Sequence, residues 1–294
     1  VNVADDLQLF HGDATTAAAR IYARWNGEEG QSGFTIEGRI VGPQCSLSQT
    51  LTAEVSLAMM PDAPSVLAAA ILPDPCFWTM RLPAWYQVDL DVYQQGRPVA
   101  SLQRQLGIRA LGADRSSFRW QGKRWVMRGV HIRDSDHVDA DACREQATTL
   151  VVESPSDALC RTASSRGVLI VAHVAGGRGE IEEVRRLGQW PAVGMVIADH
   201  GCPPSAAALQ SVPNLVWGES FRSDETIVPS PWAQFIVCAV DDPEKFVVQV
   251  ASCSLPIVAV RDGAPQELLS RRRSSCDQLQ RDLAAHGDYA GYVV

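Results

Sequence analysis

The sequence predicts two domains: an immunoglobulin-like β-sandwich over residues 1–115, then a compact (β/α)8 TIM barrel over residues 116–294. Three observations predict this. Short apolar–polar alternations, broken by Gly and Pro, fill roughly the first hundred residues, as in a sandwich module. Beyond them the pattern changes to apolar strands alternating with helical stretches, which requires a parallel sheet. Eight such strands favour a closed barrel over an open, doubly wound sheet.

Taken in order, residues 1–12 show no clear periodicity. Alternation begins in Ala17–Arg24 and recurs in Phe34–Pro43 and Leu51–Leu57, the pattern of half-buried strands. Tyr86–Tyr93 has strict period two, and Gln95-Gly96 turns it into Val99–Leu106. Phe118–Met127 reads as a hairpin around Gln121-Gly122 that runs into a first barrel strand, Trp125–Ile132. The other barrel strands are Thr149–Glu153, Val168–His173, Val193–His200, Leu215–Glu219, Phe235–Val240, Leu255–Arg261 and Tyr289–Val294. Helices are expected over Asp141–Thr148, Ser156–Arg166, Glu180–Leu187, Pro204–Ser211, Pro243–Ser252 and Pro265–His286; the link before Phe235 is the least regular. No GxGxxG or GxxxxGK[ST] follows any strand, so nucleotide binding has no motif to rest on.

Composition narrows the classes further. A hydrophobic share of 46% with 20% charged residues is globular rather than disordered. A net charge of −8 gives no counterion-release drive toward nucleic acid. The one dense basic run, Arg271-Arg272-Arg273, falls in a helical pattern and reads as a solvated face, with a phosphate or partner site as the minor alternative. The eight cysteines include no CxxC pair, so neither a zinc ribbon nor a disulfide framework is implied. No apolar run is long enough to span a membrane. The chain opens on Val1 rather than Met, so any targeting signal lies out of view and the compartment is left open, with export as one expectation.

Five segments then resemble glycoside hydrolase family 2, the β-galactosidase, β-glucuronidase and β-mannosidase group. Trp78–Tyr86 (WTMRLPAWY) matches the W…P.LY segment of that family's immunoglobulin-like domain. Leu106-Gly107-Ile108-Arg109 matches its G-[FI]-R strand end, and Phe118 to Val130 matches the hairpin that enters its barrel. Trp190-Pro191-Ala192-Val193 matches the start of barrel strand four, as Leu255-Pro256-Ile257 matches that of strand seven. The sequence here holds no counterpart of the family's N-terminal sugar-binding jelly roll. Of the Arg-x-Ser-His-Tyr-Pro segment after strand two, only Pro155 survives. The barrel region is also shorter than the ~250 residues typical of the fold, so the βα loops that build a site are trimmed.

The resemblance implies an acid/base Glu at the end of strand four and a nucleophilic Glu at the end of strand seven. Those positions hold Gly201, after Asp199-His200, and Arg261, before Asp262-Gly263. Retaining hydrolysis needs two carboxyl groups about 5–5.5 Å apart. Gly201 offers no group at all. Arg261 is a permanent cation and would oppose the positive charge of an oxocarbenium-like transition state.

Three functions are weighed on these residues. The first is a degenerate glycoside-hydrolase-like protein, binding a carbohydrate or a protein partner without family hydrolysis. Its ligand-binding candidates are Glu153, His173, His200, Trp217 and Glu219, with Trp217 as a sugar-stacking ring. The second is a glycosidase with relocated carboxylates, Asp199 as acid/base and Asp262 as nucleophile. The third is a metal-dependent hydrolase using His131, His173 and His200, with Asp262 or Glu219 as a fourth ligand; no HxH pair or HExxH supports it. No cofactor is expected. The bland alternative is that these carboxylates cap helices or pair with arginines, and that the histidines bond loop backbone. Asp262 lies one position late, so its strand would aim it away from the mouth.

Overall fold

A computed structural model describes residues 7–25, 33–61, 63, 65–136, 138–177, 179–261 and 269–294. The first domain is built from β1 (Leu7–Ala14), β2 (Ala18–Trp25), β3 (Phe34–Gln44), β4 (Ala53–Met59), β5 (Leu67–Pro73), β6 (Trp85–Gln94) and β7 (Arg97–Leu106). They form one antiparallel run in the order β1-β2-β5-β4-β3-β6-β7, so β1 and β7 are its edges. The run curls where β4 and β5 share only the pairs Ala58↔Ala69 and Met59↔Ala68. Curling lets Ile21, Ala68 and Ala70 from one limb meet Ile36, Ile40, Val88 and Leu90 from the other in a single core. The result is a curled β-sandwich rather than two separately ordered sheets.

Two of these strands, β1 and β5, escape the sequence patterns. In β1 the core-facing positions are Leu7, Leu9 and His11, opposite Trp25, Ala23 and Ile21, while Gln8 is buried on the other face, so polar His11 and buried Gln8 together mask the alternation. In β5 the inward Ala68 and Ala70 are balanced by the alanine between them. A small sheet follows, β8 (Leu111–Asp114), β9 (Ser117–Trp120) and β10 (Lys123–Trp125). The expected hairpin turn lies at Gln121-Gly122, with φ of 51° and 74°.

The barrel closes through β11 (Met127–Ile132), β12 (Thr149–Glu153), β13 (Ile170–His173), β14 (Val193–Asp199), β15 (Val216–Phe221), β16 (Phe235–Ala239), β17 (Ile257–Val260) and β18 (Gly291–Val293). Its helices are α1 (Ala140–Glu145), α2 (Asp157–Arg166), α3 (Glu180–Gly188), α4 (Ala206–Ser211), α5 (Pro243–Val250) and α6 (Leu269–Leu283). Side-chain oxygens of Asp139, Ser156, Ser205 and Asp242 cap four of them, satisfying amides that the first turn leaves free. No helix joins β15 to β16. The irregular link expected there is a loop tied down by Gln249, whose Nε2 donates to the carbonyls of Arg222 and Glu225. Among the described residues no helix is long and apolar enough to cross a membrane. All eight cysteines are free thiols.

The two domains meet through the segments that carried the family resemblance. Trp78 is fully buried, and its indole Nε1 donates to the Ser164 carbonyl near the end of α2. That helix stops at Gly167 in the left-handed region (φ 75°); a Cβ there would lie 2.5 Å from the Met80 carbonyl oxygen. Arg109 is only 6% exposed and donates to the carbonyls of Trp190, Pro191 and Asn214. Asn214 in turn pairs with both backbone groups of His11 on edge strand β1. The matched motifs thus build a joint at the N-terminal end of β14, where a barrel is organised for stability.

Candidate functional site at the barrel mouth

Strand register decides which side chains reach the mouth. In a parallel sheet, residues paired across strands share a face, and alternate residues change face. The pairs His131↔Val151, Glu153↔His173, His173↔Ile197 and Asp199↔Ser220 place His131, Glu153, His173, Asp199 and Ser220 on one face. Continuing round, Ser220↔Val237 and Ala239↔Val260 add Ala239 and Val260 to the same face. Five consecutive strands, β11 to β15, therefore present a polar arc, and the strands that close the ring present an apolar one. A cavity of about 1030 Å³ opens here; its walls include His131, Glu153, His173 and Ser220 on one side and Ala239, Val260 and Val294 on the other.

The polar arc is laced internally. His173 Nε2 and Asp199 Oδ1 are 2.9 Å apart, and Ser220 Oγ donates to the same oxygen at 2.7 Å. One carboxylate oxygen thus joins β13, β14 and β15. Asp199 remains more than half exposed, so its other oxygen faces solvent. Arg272 donates to the His131 carbonyl at 2.7 Å, closing the rim from α6. Its neighbour Arg273 pairs with Asp277 and donates to the Gln146 carbonyl. The basic run is therefore engaged with the barrel and is not simply a solvated face.

The opposite face of the same strands corrects two expectations. Trp217 is 4% exposed and packed in the barrel core, so it offers no ring to a sugar. The Glu219 side chain is 2% exposed and fully used: it accepts from Ser230 N and Ser230 Oγ and bonds His200 Nδ1 at 2.9 Å. Its role is to clasp the loop between β15 and β16. His200 stacks on Phe221 with ring centroids 4.4 Å apart. The physical reason is parity: Trp217, Glu219 and His200 alternate with Ser220 and Asp199, which face the mouth.

The residues that the sequence resemblance matched to the family's glutamates are Gly201 and Arg261. Gly201 has φ 84°, a left-handed turn that an L side chain would strain. Arg261 Nη1 pairs with Asp282 Oδ2 on α6 at 2.7 Å, and this bond holds the Asp282 carboxyl below the usual range. Asp262 lies outside the described residues. The three candidate metal ligands are not brought together: His173 and His200 bond different carboxylates, and among the described residues no group of three His, Cys, Asp or Glu can hold a metal ion. Ser220 went unmarked in the sequence, although the strand it ends was recognised. Only register separates it from its neighbour Glu219.

No family model and no curated protein matches the sequence. Solved structures do match it in fold. The β-glucuronidase from Ruminococcus gnavus in complex with D-glucuronic acid aligns with a TM-score of 0.69 at 11% identity, covering 98% of this chain and 60% of that one. A glycosyl hydrolase family 2 member from Bacteroides cellulosilyticus gives 0.67 at 15% identity, over 98% and 43%. A structure described as a putative β-galactosidase from Bacteroides fragilis gives 0.61 at 13% identity, over 98% and 54%. The chain thus spans about 60% or less of the length of these neighbours, and what it shares with them is the sandwich-plus-barrel architecture.

Proposed function

We propose that the barrel mouth is a carbohydrate-binding site on a glycoside-hydrolase-like scaffold that does not perform the family's hydrolysis. One observation supports this reading: the mouth is an open cavity with a polar arc and an apolar one, and the residues that the resemblance matches to the family's glutamates are Gly201 and Arg261. A pyranose presents hydroxyls at its edge and C–H groups on its faces. The mouth offers acceptors and donors from Glu153, His173 and Asp199 along one arc, and Val260 and Ala239 along the other. Such sites bind by a few placed polar groups within an otherwise apolar pocket.

One observation favours a second reading, a glycosidase with relocated carboxylates. Glu153 and Asp199 share the mouth-facing register and lie two strands apart. Two inter-strand steps across the sheet and two residues along it separate their backbones by roughly 12 Å. The earlier pairing of Asp199 with Asp262 remains an alternative within this reading.

One experiment separates the two. The purified chain is given a panel of aryl glycosides, beside Asp199→Asn and Glu153→Gln variants, and the same proteins are titrated calorimetrically with the parent sugars. The binding reading expects no turnover above buffer, and sugar affinity that falls at least about tenfold in Glu153→Gln, the loss of one charge-assisted hydrogen bond. Turnover abolished by Asp199→Asn would establish the enzyme instead. Folded protein that neither turns over nor binds any sugar would overturn both.

A further inference from the structure

A second cavity, of about 600 Å³, lies between the sandwich and the barrel. It shares no lining residue with the mouth. Its walls are the two edge strands β1 and β7 on one side and α3 with the start of β14 on the other. The curled sheet fails to close between those edges, and the end of the sandwich core borders the gap: Leu102 and Leu106, each 7% exposed, line it together with the half-buried Leu7 and Leu9 of β1.

The charge in this gap is unusual. On β7, Arg104 stands between Leu102 and Leu106 at the same strand parity, so a guanidinium is carried on the core-facing side. Among the described residues no carboxylate pairs with it; its one hydrogen bond goes to the neighbouring Gln103 carbonyl at 3.1 Å. Arg109, deeper in the same wall, meets three carbonyl oxygens and no carboxylate. Arg186 is different, being neutralised by Glu183 and Asp157, while Glu182 is exposed. Among the described residues Arg104 and Arg109 thus have no carboxylate partner, in a lining that is part polar and part apolar and that also includes the exposed Glu182. Arg104 is half-buried, so an anion reaching it is less screened by solvent than at the open surface.

We propose that this cleft binds a medium-chain aliphatic carboxylate, its tail along Leu7, Leu9, Leu102 and Leu106 and its head group against Arg104. The volume lies within the roughly 300–1,000 Å³ of small-molecule sites. Tail and head match the two halves of the lining, and neither half alone accounts for both. The ligand would bridge the sandwich and the barrel.

The test titrates the full chain with decanoate, decanol and acetate, below the micellar range, by calorimetry. Decanoate is expected to bind at least about tenfold more tightly than either control, because only it satisfies both the leucines and the arginine. From hexanoate to decanoate each methylene should strengthen binding by roughly fourfold until the cavity is full. Arg104→Gln should remove the preference for decanoate over decanol, and Arg104→Lys should keep it. Glu153→Gln, in the mouth, should leave decanoate binding unchanged, so failure of the sugar reading and failure of this one are distinguishable. Equal binding of decanoate and decanol, or unchanged decanoate binding in Arg104→Gln, would overturn the proposal. So would an Arg104→Gln chain that self-associates while its decanoate affinity stays intact. That result would make Arg104 an inward charge that blunts an edge strand, and nothing more.

Discussion

Acid should loosen the joint between the two domains through a single histidine. His11 on β1 is 8% exposed. Its Nδ1 lies 3.0 Å from the Gly12 carbonyl and its Nε2 lies 3.3 Å from the Arg109 amide. Only the neutral tautomer with hydrogen on Nδ1 satisfies both, donating to the carbonyl and accepting from the amide. Burial lowers the pKa from 6.5 to about 4; the Gly12 bond opposes this, and the nearby Arg109 charge adds to it. The unfolded chain therefore takes up a proton below about 6.5, and the folded chain does not until about 4. The histidine's contribution is complete above the first value and is lost as pH falls to the second. At about 1.4 kcal/mol for each pH unit, that interval corresponds to roughly 3 kcal/mol. His11→Gln keeps an acceptor for the Arg109 amide and cannot titrate. We expect it to be the less stable protein near neutrality, with the gap narrowing or reversing toward about pH 4. Urea melts of both proteins across that range, followed by tryptophan fluorescence, read the gap directly. The carboxylates titrate alike in both and cancel in the difference. A gap constant to within about 0.5 kcal/mol across the range would refute the assignment.

Two further outcomes test other parts of the structure. Gly167→Ala should destabilise the chain by about 2–4 kcal/mol, combining left-handed strain with a collision against the Met80 carbonyl; the shift in the urea midpoint measures it. Glu219→Gln should cost about 1–3 kcal/mol by weakening the clasp on Ser230 and His200. Faster amide exchange confined to residues 222–234, with the sandwich unchanged, is the expected signature, and a uniform change would contradict the clasp.

The barrel was legible because its strands are buried on both faces and read as unbroken apolar runs, such as Val193–Ala198. The same property hid the site. A strand that is apolar on both sides carries no alternation, so nothing in VGMVIAD tells whether Asp199 or His200 faces the axis. Four of the residues singled out in the sequence, His131, Glu153, His173 and Asp199, share the mouth-facing parity. Glu219, Trp217 and His200 were marked with them, although they turn the other way. Their orientation follows from pairing between strands, which sequence distance does not encode. In the sandwich the loss has another origin. His11 is tolerated inside because Asn214 of the barrel, remote in sequence, and the Arg109 amide meet it, and Gln8 is tolerated on the opposite, covered face because Arg24 donates to its Oε1.

Strand β14 is held at one end and open at the other. Its first residues follow Trp190 and Pro191, which the sandwich grips through Arg109; its last residue, Asp199, stands in the mouth. The mechanical duty at Pro191 and the chemical duty at Asp199 are thus eight residues apart, or roughly 26 Å. Substitutions at the open end do not touch the joint, so a lineage can rewrite what the mouth does while its architecture stays selected. Motif searches keyed to the joint will accordingly gather proteins of one shape and several trades, and only the far end of the strand distinguishes among them.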